Sequence, residues 1–406
     1  MGKYHNWEKN ITIFLASQTL TLFGSSLVQY AILWYITLQT QSGIMMTISI
    51  ISGFIPSFFI SPFAGVWADR YNKKMLIIIA DLTIAFFTLI LAIMFFMGKD
   101  SLILIFLVSA IRSLGSGVQT PAVGAFIPAI VPEDKLTRVN GINTSIQSFI
   151  FLLSPMLSGA LMVTTDIEYI FFIDVFTAII GVLALVLFLK VPFQKNYSDN
   201  EKVEYFQDML KGIKYIREHA FIKILFLYSA AYFILAAPLA FLTPLQVART
   251  YGDDVWRLTA IEIAFSVGMM LGGALMAYWG GFQNKLHSMA LSTFFIAITT
   301  LILGIPPSFW VYLIVMGIAG LVMPLFNTPF IVLIQQKTDE KYLGRVLGVL
   351  NMIASIVMPM AMVLFGPLSD VIKIEWLLLI TGSLILVQGI FMVKNKVLLE
   401  AGRNNL

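Results

Sequence analysis

The sequence predicts an all-α integral membrane protein in which twelve transmembrane helices form two six-helix bundles. Three observations point there. First, 59% of the 406 residues are hydrophobic and only 12% are charged, with a mean hydropathy of +0.88; a soluble domain keeps roughly a quarter to a third of its surface charged. Second, the apolar residues gather in runs of roughly 20, a length that crosses ~30 Å of hydrocarbon at ~1.5 Å per residue. Third, the second half of the chain repeats features of the first. Such a repeat with a polar linker is the sequence form of a two-bundle transporter with a central site.

The spans of the first bundle, residues 1–189, lie at about 11–37, 44–66, 75–97, 101–127, 141–164 and 170–189. A polar linker, 190–220, follows. The second bundle, 221–406, has spans at about 221–247, 257–279, 287–305, 309–334, 346–369 and 375–393. Membrane-spanning strands would be ~10-residue alternating segments, which these runs are not. In the linker, Val203, Phe206, Met209, Leu210, Ile213 and Ile216 form a stripe at helical spacing. This predicts an amphipathic helix over 201–218, read as an interfacial helix that joins the bundles.

Lys and Arg set the orientation. With the N-terminus inside, the inner segments hold 21 basic residues and the outer segments four, Lys99, Arg249, Arg257 and Lys373. Arg112 is left within a span. Both termini and the linker are therefore expected on the cytoplasmic side. The net charge of +4 is a topology signal; nucleic-acid binding would need a concentrated basic patch on a soluble face. The repeat is carried by Glu133–Gly141 and Glu340–Gly348, where Glu, Leu, Arg, Val and Gly recur at an offset of 207. The same offset carries Gly65 onto Gly272 and Gly159 onto Gly366.

Several function classes are excluded. No cysteine is present, and His5, His219 and His287 lack ligand spacing, so no metal is expected. Paired catalytic carboxylates and phosphate-binding loops are missing, which argues against an enzyme, a cofactor and an ATP-driven pump. The polar stretch Met1–Asn10 and the long first span do not read as a cleavable signal, and Asn6 breaks a myristoylation pattern.

Between spans 2 and 3 runs Gly65-Val66-Trp67-Ala68-Asp69-Arg70-Tyr71-Asn72-Lys73-Lys74. A helix ends, the chain turns, and a basic cluster meets the headgroups, with one acid able to pair with a base or a helix N-terminus. This resembles the loop signature of the major facilitator superfamily, G-x-x-x-D-R-x-G-R-K. Asn72 stands for the second Gly and tolerates the left-handed backbone a tight turn would need. The second half keeps Gly272 but has Met276 at the acid position. Ile111-Arg112-Ser113-Leu114-Gly115-Ser116-Gly117 resembles the family's R-x-x-x-G-type motif, with the Gly one residue early. Leu153-Ser154-Pro155-Met156-Leu157-Ser158-Gly159 loosely resembles its antiporter Gly-Pro motif. Across its length the chain resembles the drug:proton antiporter branch that includes the macrolide-efflux proteins. The carrying segments are Lys3–Trp7, Asp69-Arg70, Ala80-Asp81-Leu82, Ile111-Arg112-Ser113, Thr120-Pro121-Ala122, Pro132-Glu133 and Ile173-Asp174-Val175.

The resemblance implies the major facilitator fold and proton-driven export of bulky, often cationic drugs, macrolide antibiotics above all, from a bacterial cytoplasm through the cell membrane. Its partners would be drug, protons and the lipid bilayer. The protein is expected to be a monomer, alone or beside an ABC-type partner protein. Export of a native metabolite, such as a siderophore or peptide, is the alternative. The loop residues Gly65, Asp69, Arg70, Lys73 and Lys74 would form a conformational gate. Helices 1, 4, 7 and 10 are expected to line the pathway. Helical stripes there offer Gln18, Thr21, Ser25 and Gln29; Ser116 and Gln119; Tyr228 and Tyr232; and Asn327 as substrate contacts.

The intramembrane charges are the candidates for proton coupling: Asp81, Arg112, Asp174 and Glu262. Burial favours the neutral form of a carboxyl and a nearby cation favours the charged form, so proton exchange is chemically open to the two deeper acids, Asp81 and Glu262. Asp81, seven residues past Lys74, is ~10 Å from the inner edge. Arg112, eleven residues past Ser101, is ~14 Å from that edge in a ~30 Å core. The two are expected to pair. Asp174 reads as interfacial, ~6 Å in from the outer edge, and Asp370 as an outer-end residue that needs no special account.

Overall fold

The computed structural model describes residues 6–189, 205–305 and 308–401. Val203 of the linker stripe and the side chains of Phe206 and Met209 lie outside the described residues. Fifteen α-helices run in order, and no strand occurs among the described residues. They are α1 (Trp7–Thr40), α2 (Gly43–Arg70), α3 (Lys73–Phe96), α4 (Leu102–Ile130), α5 (Leu136–Thr164), α6 (Ile167–Phe188), α7 (Tyr205–Glu218), α8 (Ala220–Phe241), α9 (Thr243–Tyr251), α10 (Val255–Trp279), α11 (Lys285–Leu303), α12 (Phe309–Lys337), α13 (Glu340–Val371), α14 (Ile374–Lys394) and α15 (Lys396–Ala401). Twelve spans are long and apolar enough to cross a membrane, with α8 and α9 forming one of them. The chain is a multi-pass membrane protein. Each expected span falls within one of these helices to within two residues at its ends, except 221–247, which α8 and α9 share. The helices extend further at their ends because hydropathy marks only the hydrocarbon part, while the backbone hydrogen-bond ladder continues into the headgroup zone.

The chain divides into two compact units, Met1–Ile36 with Ile48–Val203, and Thr37–Thr47 with Glu204–Leu406. In the first unit α3 packs on α4 and α6. Glycines set the close approaches. A Cβ on Gly115 of α4 would meet Ile84 Cγ1 of α3 at 2.6 Å, and one on Gly181 of α6 would meet Thr21 Cγ2 of α1 at 2.7 Å. Helices in lipid gain no hydrophobic drive toward each other, so such small contacts, rather than burial, hold the spans together. An apolar cluster of Phe14, Ile77, Phe126, Ile130 and Leu185 fills the end of this unit that carries the α2–α3 loop.

In the second unit α10 packs on α12, and α11 on α12 and α14. A Cβ on Gly272 would meet the Leu321 carbonyl carbon at 2.8 Å, and one on Gly268 the Gly317 carbonyl carbon at 2.9 Å. Helix α7 packs on α13 and α8. Tyr215 stacks on Tyr342 at 4.6 Å and its hydroxyl accepts a hydrogen bond from the Asp339 backbone at 3.1 Å. Of the expected apolar stripe, Ile216 is buried and Leu210 is half exposed. An aromatic contact with α13 thus acts beside Ile216 in seating this helix.

Candidate functional site

Arg112 sits at the centre of a buried polar network in the first unit. Its Nη1 donates to Asp174 Oδ2 at 2.5 Å and to the Thr88 hydroxyl, and its Nη2 donates to the Ser25 carbonyl at 3.3 Å. Asp174 is fully buried and Arg112 is 9% exposed. The Ser25 hydroxyl donates to the other oxygen of Asp174 at 3.2 Å, so both carboxylate oxygens are engaged. Gly24 makes this possible, since a Cβ there would lie 2.9 Å from Asp174 Cα. The absence of a side chain lets α1 press its backbone against α6.

Asp81 does not pair with Arg112, as its depth suggested. Depth along consecutive antiparallel helices fixes height but not face. Asp81 Oδ1 instead accepts from Gln119 Nε2 at 2.5 Å, and the same amide group lies 3.4 Å from Gln18 Oε1. Asp174, expected near the surface, takes the Arg112 contact. Helix α6 begins at Ile167, three residues before the apolar run, which sets Asp174 about 10 Å along its helix rather than ~6 Å. Asp81 is 3% exposed, and its Oδ2 has no hydrogen-bond partner among the described residues. The Gln18 amide nitrogen is likewise buried without one.

The buried polar region of this unit therefore holds two clusters of the residues read from the sequence, Ser25, Arg112 and Asp174 in one and Gln18, Asp81 and Gln119 in the other. Thr21 is buried, and its hydroxyl bonds the Gln18 carbonyl at 3.3 Å. Gln29 and Ser116 are exposed and outside it. In the second unit, Tyr232 is a core side chain, 2% exposed and stacked on Phe326 at 4.4 Å. Tyr228 is half-buried, with its carbonyl accepting from Gln388 at 2.5 Å. Asn327 is exposed and Glu262 of α10 is half-buried. Thr88 went unread, although it lies two turns after Asp81 on α3, on a spacing that repeats the helix face.

In the α2–α3 loop Gly65 is half-buried, while Asp69 and Arg70 at the end of α2 are exposed. Lys73 opens α3, and Lys74 Nζ donates to the Leu189 carbonyl at 2.8 Å, past the end of α6. The turn needs no left-handed residue at Asn72: its φ is −64°, and its side chain accepts from Met75 N at 3.3 Å as the N-cap of α3. Asn thus serves here as a cap rather than as a glycine substitute.

A second polar cluster, in the other unit, surrounds Asp370, which does need an account. Its carboxylate accepts from Gly43 N at 2.7 Å, Ile44 N at 3.0 Å and the Ser42 hydroxyl at 2.8 Å, capping the N-terminus of α2 from a distant part of the chain. Arg249 Nη2 pairs with Asp370 Oδ1 at 2.7 Å, and Arg249 also donates to the carbonyls of Gln41 and Ser369. No sequence motif marked this cluster; an acid that caps another helix is not visible in local spacing. The chain holds no group of His, Cys, Asp and Glu fit for a metal among the described residues.

Comparisons with known proteins agree with this architecture. The family model "Major Facilitator Superfamily" matches residues 14–362. The chain is 29% identical over 388 residues to Macrolide efflux protein A of Streptococcus pyogenes, covering 95% of this chain and 96% of that protein. It is 22% identical over 291 residues to the enterobactin exporter EntS of Escherichia coli O1:K1 / APEC, covering 70% and 67%. The crystal structure of the nucleoside transporter NupG superposes with a TM-score of 0.72 at 13% identity, covering 95% of this chain and 99% of that one. With twelve spans, a repeat of six, the Gly65–Lys74 loop and a family match over most of its length, the chain belongs to the major facilitator superfamily of membrane transporters.

Proposed function

We propose that the protein is a proton-coupled exporter of small-molecule drugs, macrolide-type antibiotics first among them, in a bacterial cell membrane with both termini cytoplasmic. The observation that carries this reading is the acid–base network of Arg112, Asp174 and Asp81 buried within membrane-crossing helices. Charges at such depth cost at least about 2.5–3.5 kcal/mol each, and paired acids there serve as proton relays. The similarity to Macrolide efflux protein A over nearly the whole chain supports the drug class. Proton entry down its gradient would drive the substrate out. The loop from Gly65 to Lys74 would hold the cytoplasmic side closed in one state and release it in the other.

The test is macrolide susceptibility and accumulation in a pump-deficient bacterial host that expresses the chain. Expression should raise resistance, and an uncoupler should restore accumulation. Export that persists in proteoliposomes without any ion gradient would overturn proton coupling. A second reading, export of a native metabolite such as a siderophore, rests on the similarity to the enterobactin exporter. Unchanged susceptibility to macrolides, tetracyclines and dyes alike would favour it.

A further inference from the structure

The network of the first unit holds one cation and two carboxyls, and its geometry treats the two carboxyls differently. Asp174 is saturated: Arg112 engages one oxygen at 2.5 Å and Ser25 the other at 3.2 Å. Arg112 has its counter-ion there. Asp81 is equally buried but receives a single strong donor, from Gln119 on Oδ1. Its Oδ2 faces the interior with no partner among the described residues, and the nearby Gln18 amide is half-satisfied. A buried carboxyl with one oxygen engaged and the other open is the form that accommodates an O–H. The groups that act on it from the neighbouring helices are Gln119 of α4, Asp174 of α6 and Gln18 of α1. None of these is a cation for Asp81 to pair with, and Arg112 is taken.

The other acids fit the task less well. Moving a proton onto Asp174 would strip Arg112 of its counter-ion, and leaving one charge of a buried pair unmatched is strongly unfavourable. Asp370 is held by two backbone N–H groups, a hydroxyl and Arg249. Glu262 belongs to the other unit, outside the Arg112–Asp174 and Asp81–Gln119 clusters.

We propose that Asp81 is the residue that carries the transported proton, with Oδ2 as the atom protonated and the Gln119 amide as the group that positions the carboxyl. Loading moves a proton from water on the outer side onto Oδ2, forming the Oδ2–H bond; release breaks that bond, and the proton passes to water on the cytoplasmic side. Arg112–Asp174 keeps its pairing throughout and holds α4 and α6 around the site. This assignment rests on the proton-coupled reading but can be tested apart from it.

The purified full-length protein would be titrated with acid while its infrared difference spectrum is recorded in the carbonyl region of protonated carboxyls. The wild type should show a pH-dependent band that vanishes in Asp81→Asn and stays in Asp174→Asn and Glu262→Gln. A band that survives in Asp81→Asn would overturn the assignment. If Asp81→Asn does not elute as a folded species, Asp81→Glu serves instead. Its band should shift in frequency and titration midpoint, and an unshifted band would overturn the proposal. Proteoliposomes loaded with erythromycin supply the second readout. In Asp81→Asn, uptake driven by a pH gradient should be lost while drug exchange without a gradient persists and no longer varies with pH. A purely structural role would lose both together, which counts against the proposal. If the wild type moves no erythromycin, the drug-export reading falls, and the infrared titration still decides Asp81.

Discussion

Arg112→Met should destabilise the protein by about 3–5 kcal/mol, the range for removing one partner of a buried ion pair. The structure supports the upper part of that range. The Arg112 side chain is 10% exposed, that of Asp174 is fully buried, and their closest atoms are 2.5 Å apart. Without the guanidinium, Asp174 keeps only Ser25 and Thr88 as hydroxyl neighbours, with no cation. Asp174→Leu leaves the converse problem, a buried cation that retains the Ser25 carbonyl and the Thr88 hydroxyl. The double variant Arg112→Met/Asp174→Leu has no buried charge left unmatched and should cost no more than either single change. That corresponds to a coupling at least as large as one single cost, about 3–5 kcal/mol, at or above the top of the range for residues in contact. Equilibrium unfolding in mixed micelles would measure all four proteins. Additivity within about 0.5 kcal/mol, the behaviour of independent sites, would refute the pairing. The companion cycle of Arg112→Met with Asp81→Asn should show the smaller coupling, because Asp81 bonds Gln119 instead.

Three further outcomes are expected. Asp69→Asn should lower export while the protein still inserts and elutes normally, because it removes the one acid from the basic α2–α3 loop; full export by a well-expressed variant would remove Asp69 from the mechanism. Asp370→Asn should loosen the start of α2, at about 1 kcal/mol for a lost cap. Since the chain has no cysteine, a Met46→Cys reporter, at a site 0% exposed, should react faster with a maleimide in that background; an unchanged rate would sink the capping role. Gly272→Val should cost about 1–3 kcal/mol through overpacking, because its Cβ would meet the Leu321 carbonyl carbon at 2.8 Å; unaltered thermal stability would show that α12 yields without strain.

The spans were legible because hydrocarbon thickness imposes one length on every crossing helix, and a run of roughly 20 apolar residues carries that length directly. The identity of the buried polar residues was legible for a related reason: Asp81, Arg112 and Asp174 stand out where any charge is costly. Their pairing was not. Which face of a helix a residue presents depends on how neighbouring helices rotate and approach, and glycines such as Gly24 and Gly115 decide that through contacts distant in sequence. The same limit hid Asp370, whose partners Ser42, Gly43 and Ile44 lie more than 320 residues away. Tyr232 shows another limit of helical spacing. Helical spacing placed it on a pathway stripe, but an aromatic side chain has enough apolar area to be drawn into the core, and here it stacks on Phe326.

The internal repeat shows why the buried charge network belongs to one half. At the offset of 207, which also relates the starts of α4 and α12 and of α6 and α14, Arg112 corresponds to Ala319, Gln119 to Phe326 and Asp174 to Thr381. Helices α3 and α11 both follow an Asn N-cap, Asn72 and Asn284, and each opens on a Lys. Aligned on those caps, Asp81 corresponds to Thr293. Each ionisable member of the network is thus replaced by a neutral residue in the second half, and Thr293, Ala319, Phe326 and Thr381 are all buried. The second half keeps the glycines that pack its helices, Gly272 among them, and lacks the acid of the α2–α3 loop. A duplicated scaffold needs its packing residues in both copies, because each bundle must hold itself together in lipid. On the proposed proton-coupled reading it needs a proton site in only one, because a single titrating carboxyl suffices to couple one proton to one transport cycle. A second buried acid–base network would add the cost of burying its charges without adding a step. Unit 1 therefore carries the buried Arg112–Asp174 pair and Asp81. Unit 2 supplies the Asp370–Arg249 cluster, with its hold on the start of α2.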